Sequence, residues 1–314
     1  MKYLLHISIV IILSACVKEV EVDIPQHEPS LVVDGVIRTD EVPFVILSKS
    51  SDIYAPTDLN SMLETYQNGA TITVSDGINS IELDEVCAND LPPGAEQAFA
   101  EFFDLDASQL PSLELCIYTD ISGNFIGEIG KTYSISIEFE NEIYEATSKI
   151  LEPLPLDSLF WKEEEDSENF GFSWFTISDP PGQFDAYFWE TKRINKNDEG
   201  EPLDQSFKPA FAPAFDDTFF DGLTFDFAFE NPHNFDDSDL PVQQRGLYER
   251  GDTVVVRFSK IDEAVFDFME KKYTQLQSGG SPFAAPINLP SNFNNGAKGV
   301  WAAFSPVYDT LICE

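Results

Sequence analysis

Basic residues are scarce in this chain. Its 314 residues include 18 lysines and arginines against 56 aspartates and glutamates, which gives a formal net charge of −38 at pH 7. A surface of this sign repels phosphate backbones and anionic lipid headgroups, so nucleic-acid binding is excluded. The acidity has two interpretations: it attracts a basic partner or a cation such as calcium, or it simply keeps an extracytoplasmic protein soluble.

Histidine is rarer still, and this limits the enzyme classes. The chain has only His6, His27 and His233, so a Ser-His-Asp triad outside the first residues would have to use one of the last two. It has no Gly-x-Ser-x-Gly elbow, no phosphate-binding glycine loop and no paired-histidine zinc motif. Acidic residues would suffice for a two-carboxylate glycosidase, but no pair stands out. We therefore predict a non-enzymatic protein with no catalytic residues and no cofactor. A secreted carbohydrate-active or other hydrolase is the alternative.

The chain also lacks a membrane-spanning run at its start. Lys2 precedes an apolar run from Tyr3 to Leu13, which is too short to cross a bilayer core of roughly 30 Å as a helix. The run ends in Leu13-Ser14-Ala15-Cys16, the layout of a bacterial lipoprotein signal. We predict a signal peptide over 1–15, lipidation of Cys16, and a tether over 16–25 held to a membrane by acyl chains. The alternative is an ordinary cleaved signal followed by an unrelated cysteine.

Three cysteines remain after Cys16. Cys87 and Cys116 bracket a segment of loop signals with a short helical piece over 96–103. A disulfide between them would remove conformational entropy from the denatured state, and we predict this pairing. Cys313 is expected to be a free or fraying terminal thiol rather than a nucleophile, because no histidine lies near it in sequence.

The first half of the mature chain has the alternation of β-strands. Segments such as 70–75 and 130–139 alternate small or polar residues with branched apolar ones, as half-buried strands do. About seven short segments of this kind, separated by turn residues, predict an immunoglobulin-like β-sandwich over 26–150.

The second half is predicted to form a separate β-rich domain over 157–314. Prolines at alternate positions in 151–156 favour an extended linker between the two domains. Segments 170–177 and 185–193 flank a proline-glycine turn and are predicted to pair as a hairpin. Apolar residues at helical spacing over 262–276 predict one amphipathic helix. The predicted fold class is mainly β, with two β-sandwich-like domains and this helix in the second.

Acidic clusters are the candidates for metal binding. Calcium requires six to eight oxygen ligands, and none of the clusters has the twelve-residue loop of an EF-hand. Solvated acidic loops are therefore the simpler interpretation. The weak candidate ligands are Asp104 and Asp106, then Asp236, Asp237 and Asp239, and the acidic run 216–222 poses the same choice.

Phenylalanine is concentrated between 207 and 235. These rings are interleaved with prolines and acids, which indicates an interaction surface for a transporter or an extended ligand. Phe211, Phe215, Phe219 and Phe220 are the partner-binding candidates. The alternative is that such rings, above all the alternating Phe225, Phe227 and Phe229, fill a sandwich core.

A series of short motifs extends along almost the whole chain. In order they are Cys16, Leu31-Val32-Val33-Asp34-Gly35, Asn68-Gly69-Ala70-Thr71-Ile72-Thr73-Val74, Gly130-Lys131-Thr132-Tyr133 with Tyr144-Glu145-Ala146-Thr147, Gly251-Asp252-Thr253-Val254, and the segment 291–301. The series resembles the Bacteroidota lipoproteins grouped as domain of unknown function 4249. This resemblance implies an outer-membrane lipoprotein often encoded beside a TonB-dependent transporter, with no established enzymatic activity.

The segment behind the lipidated cysteine bears on location. Lys18 and the acids Glu19, Glu21 and Asp23 resemble the signal that sends Bacteroidota lipoproteins to the cell surface. The expectation is a lipid-anchored, surface-exposed outer-membrane protein that serves a TonB-dependent transporter as an accessory or substrate-capture partner. A stand-alone adhesion or structural surface module is the alternative.

Overall fold

A computed structural model describes residues 28–51, 58–103, 105, 107–197, 200–235, 237–278 and 288–314. Several predictions concern residues outside these ranges: the signal peptide, the lipidation of Cys16, the tether, and the roles considered for His27, Asp104, Asp106 and Asp236.

The described residues are mainly β, which confirms the predicted fold class. The strands are β1 (Leu31–Arg38), β2 (Phe44–Lys49), β3 (Tyr66–Gln67), β4 (Thr71–Ser75), β5 (Ser80–Glu82), β6 (Asp84–Cys87), β7 (Cys116–Thr119), β8 (Thr132–Phe139), β9 (Glu142–Lys149), β10 (Ser158–Glu163), β11 (Phe170–Ser178), β12 (Ala186–Arg193), β13 (Lys208–Asp216), β14 (Thr224–Phe229), β15 (Tyr248–Glu249), β16 (Thr253–Ile261) and β17 (Lys298–Ile312). The helices are α1 (Leu59–Leu63), α2 (Glu96–Phe103) and α3 (Glu263–Ser278).

One long sheet extends through the molecule in the strand order β13-β12-β16-β17-β1-β2-β7-β6, with β3 paired to β2. Its centre is β17, whose two halves have different partners. Residues 298–304 pair in parallel with β1, and residues 305–312 pair antiparallel with β16. The last strand therefore joins the N-terminal and C-terminal parts of the chain.

Two glycines allow the close approach of β1 and β17. Gly299 has a φ of +93°, and a Cβ there would lie 1.9 Å from the Val33 carbonyl oxygen. A Cβ on Gly35 would lie 2.8 Å from the Trp301 ring. Glycine at both positions removes these clashes, and at 299 it also tolerates the positive φ.

The first sandwich is formed by the sheet β5-β4-β8-β9, which packs on one end of the long sheet. Trp301 of β17 is fully buried between the two layers, and its Nε1 donates to the Tyr133 carbonyl of β8 at 3.0 Å. Its core includes Val33, Ile37, Val45, Leu47, Ile72, Val74, Ile135, Ile137 and Ala303.

The second sandwich is formed by β10-β11-β14, with β15 beside β11, packed on the other end of the long sheet. Trp301 and Val307 are an even number of residues apart on β17, so their side chains point to the same face of the long sheet. Trp301 contacts the first core and Val307 contacts the second. Both small sheets therefore lie on that face. The Phe175 ring of β11 stacks on Trp189 of β12, with the ring centroids 4.2 Å apart.

Helix α3 covers the opposite face of the long sheet. Val265, Phe268 and Met269 pack against Val300 and other residues of β12 and β17. The helix begins after Asp262, whose Oδ1 accepts from the Val265 amide at 3.0 Å and so caps the first turn. The predicted helix over 262–276 is therefore present, with its end two residues later.

Two predictions about topology are wrong. Segments 170–177 and 185–193 do not form a hairpin: they lie in different sheets, packed face to face, because the Pro-Pro-Gly segment carries the chain from one layer to the other. The division at 151–156 does not separate two domains either, since β17 completes both sandwiches. Within that segment Leu154 and Leu156 pack against the second core.

Candidate functional site

An aromatic groove lies where β13 meets the end of α3. The rings of Phe211 and Phe235 are stacked, with centroids 5.5 Å apart, and are 48% and 45% exposed. Exposed Leu276 borders the same groove of about 350 Å³, a volume within the range of about 300–1,000 Å³ typical of ligand pockets. The other residues of this aromatic groove are Pro209, Ala210, Glu230, Pro232, Tyr273 and Gln277.

Hydrogen bonds hold the backbone of Phe211 in place. Its amide donates to the Glu230 carboxylate, and its carbonyl accepts from Gln277 Nε2 at 2.6 Å. Strand β13 is an edge strand of the long sheet. Pro209 and Pro213 lie in it, and proline on an edge strand blocks the pairing of a further strand.

The four partner-binding candidates divide into two groups. Phe211 lies in the aromatic groove, and Phe219 is 92% exposed on the loop between β13 and β14. Phe220 and Phe215 instead pack in the second core, so the prediction that they face a partner is wrong. Phe227 and Phe229 also fill this core, whereas Phe225 is about half exposed. Sequence reasoning could not separate adjacent Phe219 and Phe220, because both belong to a turn without a clear period.

A larger depression of about 630 Å³ lies beside the first sandwich. Its lining combines hydroxyl and amide side chains, among them Ser134 and Asn294, with the apolar residues Ile135, Ala146 and Phe293. These apolar side chains are almost wholly buried, whereas the Phe211 and Phe235 rings are nearly half exposed, and exposed apolar patches mark interaction sites. The aromatic groove is therefore the better candidate for a binding site.

Both ring nitrogens of His233 contact protein oxygens. Its Nε2 lies 2.8 Å from the Thr191 carbonyl oxygen, and its Nδ1 lies 3.3 Å from Asp204 Oδ1. Burial lowers the pKa of His233, while the Thr191 carbonyl and the Asp204 charge act in the opposite direction. The nitrogen that would activate a serine in a triad contacts a carbonyl here, so His233 does not have the geometry of a catalytic base.

Three carboxylates from two loops meet at one end of the second sandwich. One oxygen from each of Asp179, Asp217 and Asp221 lies within 4.8 Å of the others. The Tyr187 hydroxyl donates to Asp179 Oδ1 at 2.5 Å, and the Gly222 amide donates to Asp179 Oδ2 at 3.1 Å. The sequence indicated only the acidic run at 216–222, because Asp179 is 38 positions away from Asp217 in a proline-glycine turn.

Burial has the largest effect on the pKa of Asp217 in this acidic site. Asp217 is 3% exposed, and burial raises its pKa, as do the neighbouring charges of Asp179 and Asp185, although a backbone hydrogen bond from Asp185 acts in the other direction. Asp185 itself is neutralised by Lys260, whose Nζ lies 2.6 Å from Asp185 Oδ1.

Asp237 and Asp239, the other acidic candidates in the described part of the chain, do not join such a cluster. Asp237 and Asp239 are exposed, and the Asp237 carboxylate accepts from the amide of Asp239 in a local turn. Their partner Asp236, like Asp104 and Asp106, lies outside the described residues.

The cysteines have clear positions. Cys87 and Cys116 form a disulfide and are paired across β6 and β7. Glu85 lies near both sulfurs, but disulfide sulfurs are poor metal ligands. Cys313 is free and fully buried rather than fraying, and burial raises the pKa of its thiol to about 12. In the described residues no helix combines the length and the apolarity that a bilayer crossing requires.

The fold and the site define a class of protein: a mainly β chain in which two sandwiches share one strand and an aromatic groove lies at the sheet edge. The chain belongs to the family described as domain of unknown function DUF4249, whose model matches residues 17–306. This confirms the family that the motifs indicated.

No curated protein matches the chain. Among solved structures, the crystal structure of domains A168–A170 from titin is similar over 75% of this chain, with 8% sequence identity and a TM-score of 0.19. The chain spans 61% of the length of that titin chain.

Proposed function

We propose that this protein is a lipid-anchored, non-enzymatic surface protein of an outer membrane and an accessory partner of a TonB-dependent transporter. Its role is to help the transporter capture or admit a substrate. The observation that carries the proposal is the aromatic groove, where Phe211 and Phe235 expose stacked rings beside Leu276. The lipoprotein signal ending at Cys16 and the family membership support the location and the partner class.

Exposed stacked rings favour a protein partner. Aromatic residues are enriched at interfaces because they bury a large apolar area with few rotatable bonds. Prolines block strand addition at β13, so a partner would bind through side chains inserted into the groove. We propose that the occupant is an exposed loop of the transporter barrel carrying an apolar side chain.

The net charge adds a second criterion for this partner. A charge of −38 attracts a basic surface and repels an acidic one over distances of about 10 Å. The transporter loop that binds is therefore expected to place lysine or arginine around its apolar tip. Binding is expected to weaken as the salt concentration rises.

The test is a pull-down from native membranes. The full chain with its lipoprotein signal carries a C-terminal tag and is extracted in mild detergent with its partners. We expect a TonB-dependent barrel to be retained by the wild-type chain and to fall at least about tenfold with the double variant Phe211→Ser, Phe235→Ser. The control is Ile78→Ser, which removes a highly exposed apolar side chain from the turn between β4 and β5.

Two results would count against the proposal. If wild-type pull-downs never contain such a barrel, the accessory role fails. If the groove variant and the Ile78→Ser control retain the barrel equally, the aromatic groove is not the contact surface.

A further inference from the structure

We propose that Asp179, Asp217 and Asp221 form a binding site for one divalent cation, of which calcium fits best. The site is independent of the proposed transporter partnership. It rests on the meeting of three carboxylates and on an oxygen of Asp217 that lacks a hydrogen-bond donor.

The geometry brings oxygens from two loops to one point. Asp179 follows β11, while Asp217 and Asp221 belong to the loop between β13 and β14. One oxygen from each lies within 4.8 Å of the others, which allows a single ion to contact all three at the calcium–oxygen distance of about 2.3–2.6 Å. The loop between β13 and β14 thus supplies two of the three carboxylates, and the Asp-Pro-Pro-Gly turn supplies the third.

The second observation concerns the partners of these oxygens. Asp217 is 3% exposed, and its Oδ2 is buried with no hydrogen-bond partner among the described residues. Burying a carboxylate oxygen without a hydrogen-bond donor or a cation costs desolvation free energy, and this cost is larger than the gain from most surface interactions. A bound cation removes this cost.

No side-chain cation of the described residues offsets these charges. Lys260 lies nearby but pairs with Asp185 at 2.6 Å, and none of the three site carboxylates takes part in a salt bridge within the described part of the chain. Buried charges in proteins are paired or coordinate metals. Three clustered carboxylates therefore point to a positive ligand.

Hydrogen-bond donors around the site fix the orientation of two of its carboxylates. The Tyr187 hydroxyl and the Gly222 amide fix the two oxygens of Asp179, and the Gly182 amide donates to Asp221 Oδ1 at 2.7 Å. These contacts orient the carboxylates, as outer hydrogen bonds do at metal sites. Each carboxylate oxygen has a further lone pair for a metal ion.

The chemistry of the donors selects the ion. Oxygen-only ligands suit calcium, magnesium or manganese rather than zinc or copper. Magnesium keeps several waters and demands near-octahedral geometry, with one or two carboxylates. Three carboxylates from two loops favour the larger and more permissive calcium ion.

The first measurement is calorimetric titration of the metal-free, full mature chain with calcium chloride, followed by magnesium chloride. We expect one calcium ion per chain, at least about tenfold tighter than magnesium. Terbium provides a second probe, because Tyr187 donates to the ligand Asp179 and its excitation should sensitise terbium luminescence that calcium then quenches by displacement.

Three variants test the assignment. Asp217→Asn and Asp221→Asn should each weaken calcium binding by about tenfold or more. Asp221 is exposed, so its variant keeps the test valid if Asp217→Asn fails to fold. Asp157→Asn, which changes an exposed acid just before β10 and outside every candidate cluster, is the matched control and should bind calcium like the wild type.

The proposal is overturned by either of two results: no saturable calcium binding by the wild-type chain up to millimolar concentration, or equal affinities in Asp221→Asn and Asp157→Asn. Loss of the transporter in pull-downs would leave this inference untouched, since calorimetry uses the purified chain alone.

Discussion

Phe219 and Phe220 are neighbours in sequence with opposite environments. Phe219 is 92% exposed, whereas Phe220 is 4% exposed and contacts the rings of Phe215 and Phe227 in the second core. Their side chains are identical, so the energetic difference between them comes from burial alone.

This pair gives a matched test of the core. Phe220→Ala should lower the free energy of unfolding by about 3–5 kcal/mol, since it removes a buried ring and leaves a cavity. Phe219→Ala should change it by less than about 0.5 kcal/mol. Urea denaturation of both variants measures the difference, and equal losses would contradict the burial of Phe220 and the exposure of Phe219.

Two arginine–glutamate pairs differ in burial and in the number of hydrogen bonds. Arg257 Nε and an Nη donate to the two oxygens of Glu190 at 2.8 and 2.6 Å, and both side chains are largely buried. Arg250 donates only one hydrogen bond to Glu163, from an Nη at 2.6 Å, and both side chains are substantially exposed.

We expect Glu190→Gln to lower the free energy of unfolding by roughly 2–4 kcal/mol, because it leaves the buried Arg257 charge without a counter-ion. Glu163→Gln should leave the unfolding midpoint unchanged, since water solvates the freed arginine. Thermal denaturation of the two variants checks this, and a loss confined to Glu163→Gln would reverse the argument.

At the scale of elements, strand existence could be predicted better than strand pairing. Alternation identified β4 and β8, because one face of each strand is buried. It could not show that β11 and β12 belong to different layers, since alternation reports which side chains are buried and not which strand is the neighbour.

Strands β13 and β17 are among those that escaped prediction, and they did so for opposite reasons. β13 contains Pro209 and Pro213, which disfavour a strand unless it lies at an edge, as this one does. β17 is predominantly buried on both faces over its first half, so it lacks a clean alternation. For the acidic site, the sequence indicated the run 216–222 but not Asp179. Asp179 joins these residues only because the chain passes from one sheet to the other after β11.

The insertion between β6 and β7 is an element with its own small core. Phe99 and Ala100 of α2 pack with Ala88, Leu110 and Leu115, and the Cys87–Cys116 disulfide closes its base. The two cysteines are separated by 29 positions.

Removal of this disulfide should loosen the insertion first. In the chain-entropy model a loop of this length contributes about 3–4 kcal/mol. Hydrogen exchange of the double variant Cys87→Ser, Cys116→Ser should be faster between the two positions and nearly unchanged in β8. Equal acceleration in both regions would mean that the insertion supports the whole fold.

At the scale of the whole molecule, β17 couples the two sandwiches. Its first half buries Trp301 in the first core, and its second half contributes Val307 to the second. Asp262 adds a link, because its Oδ2 accepts from the Ser148 hydroxyl of β9 at 2.6 Å while its Oδ1 caps α3.

This coupling predicts one unfolding transition. Hydrogen exchange with mass spectrometry in increasing urea should give the same midpoint for peptides of β8 and β11, and Trp301→Phe should shift both midpoints together. Separate midpoints, or a shift of the β8 peptide alone, would show two independent domains as the sequence suggested.

The proposed contact between the aromatic groove and a transporter can be tested by photo-crosslinking in native membranes, with p-benzoyl-phenylalanine in place of Phe211 and, as a control, in place of exposed Ile78. We predict that mass spectrometry of the Phe211 adduct identifies a TonB-dependent barrel and that the Ile78 position gives no such adduct. An absent barrel adduct at Phe211, or equal adducts at both positions, would contradict the claim.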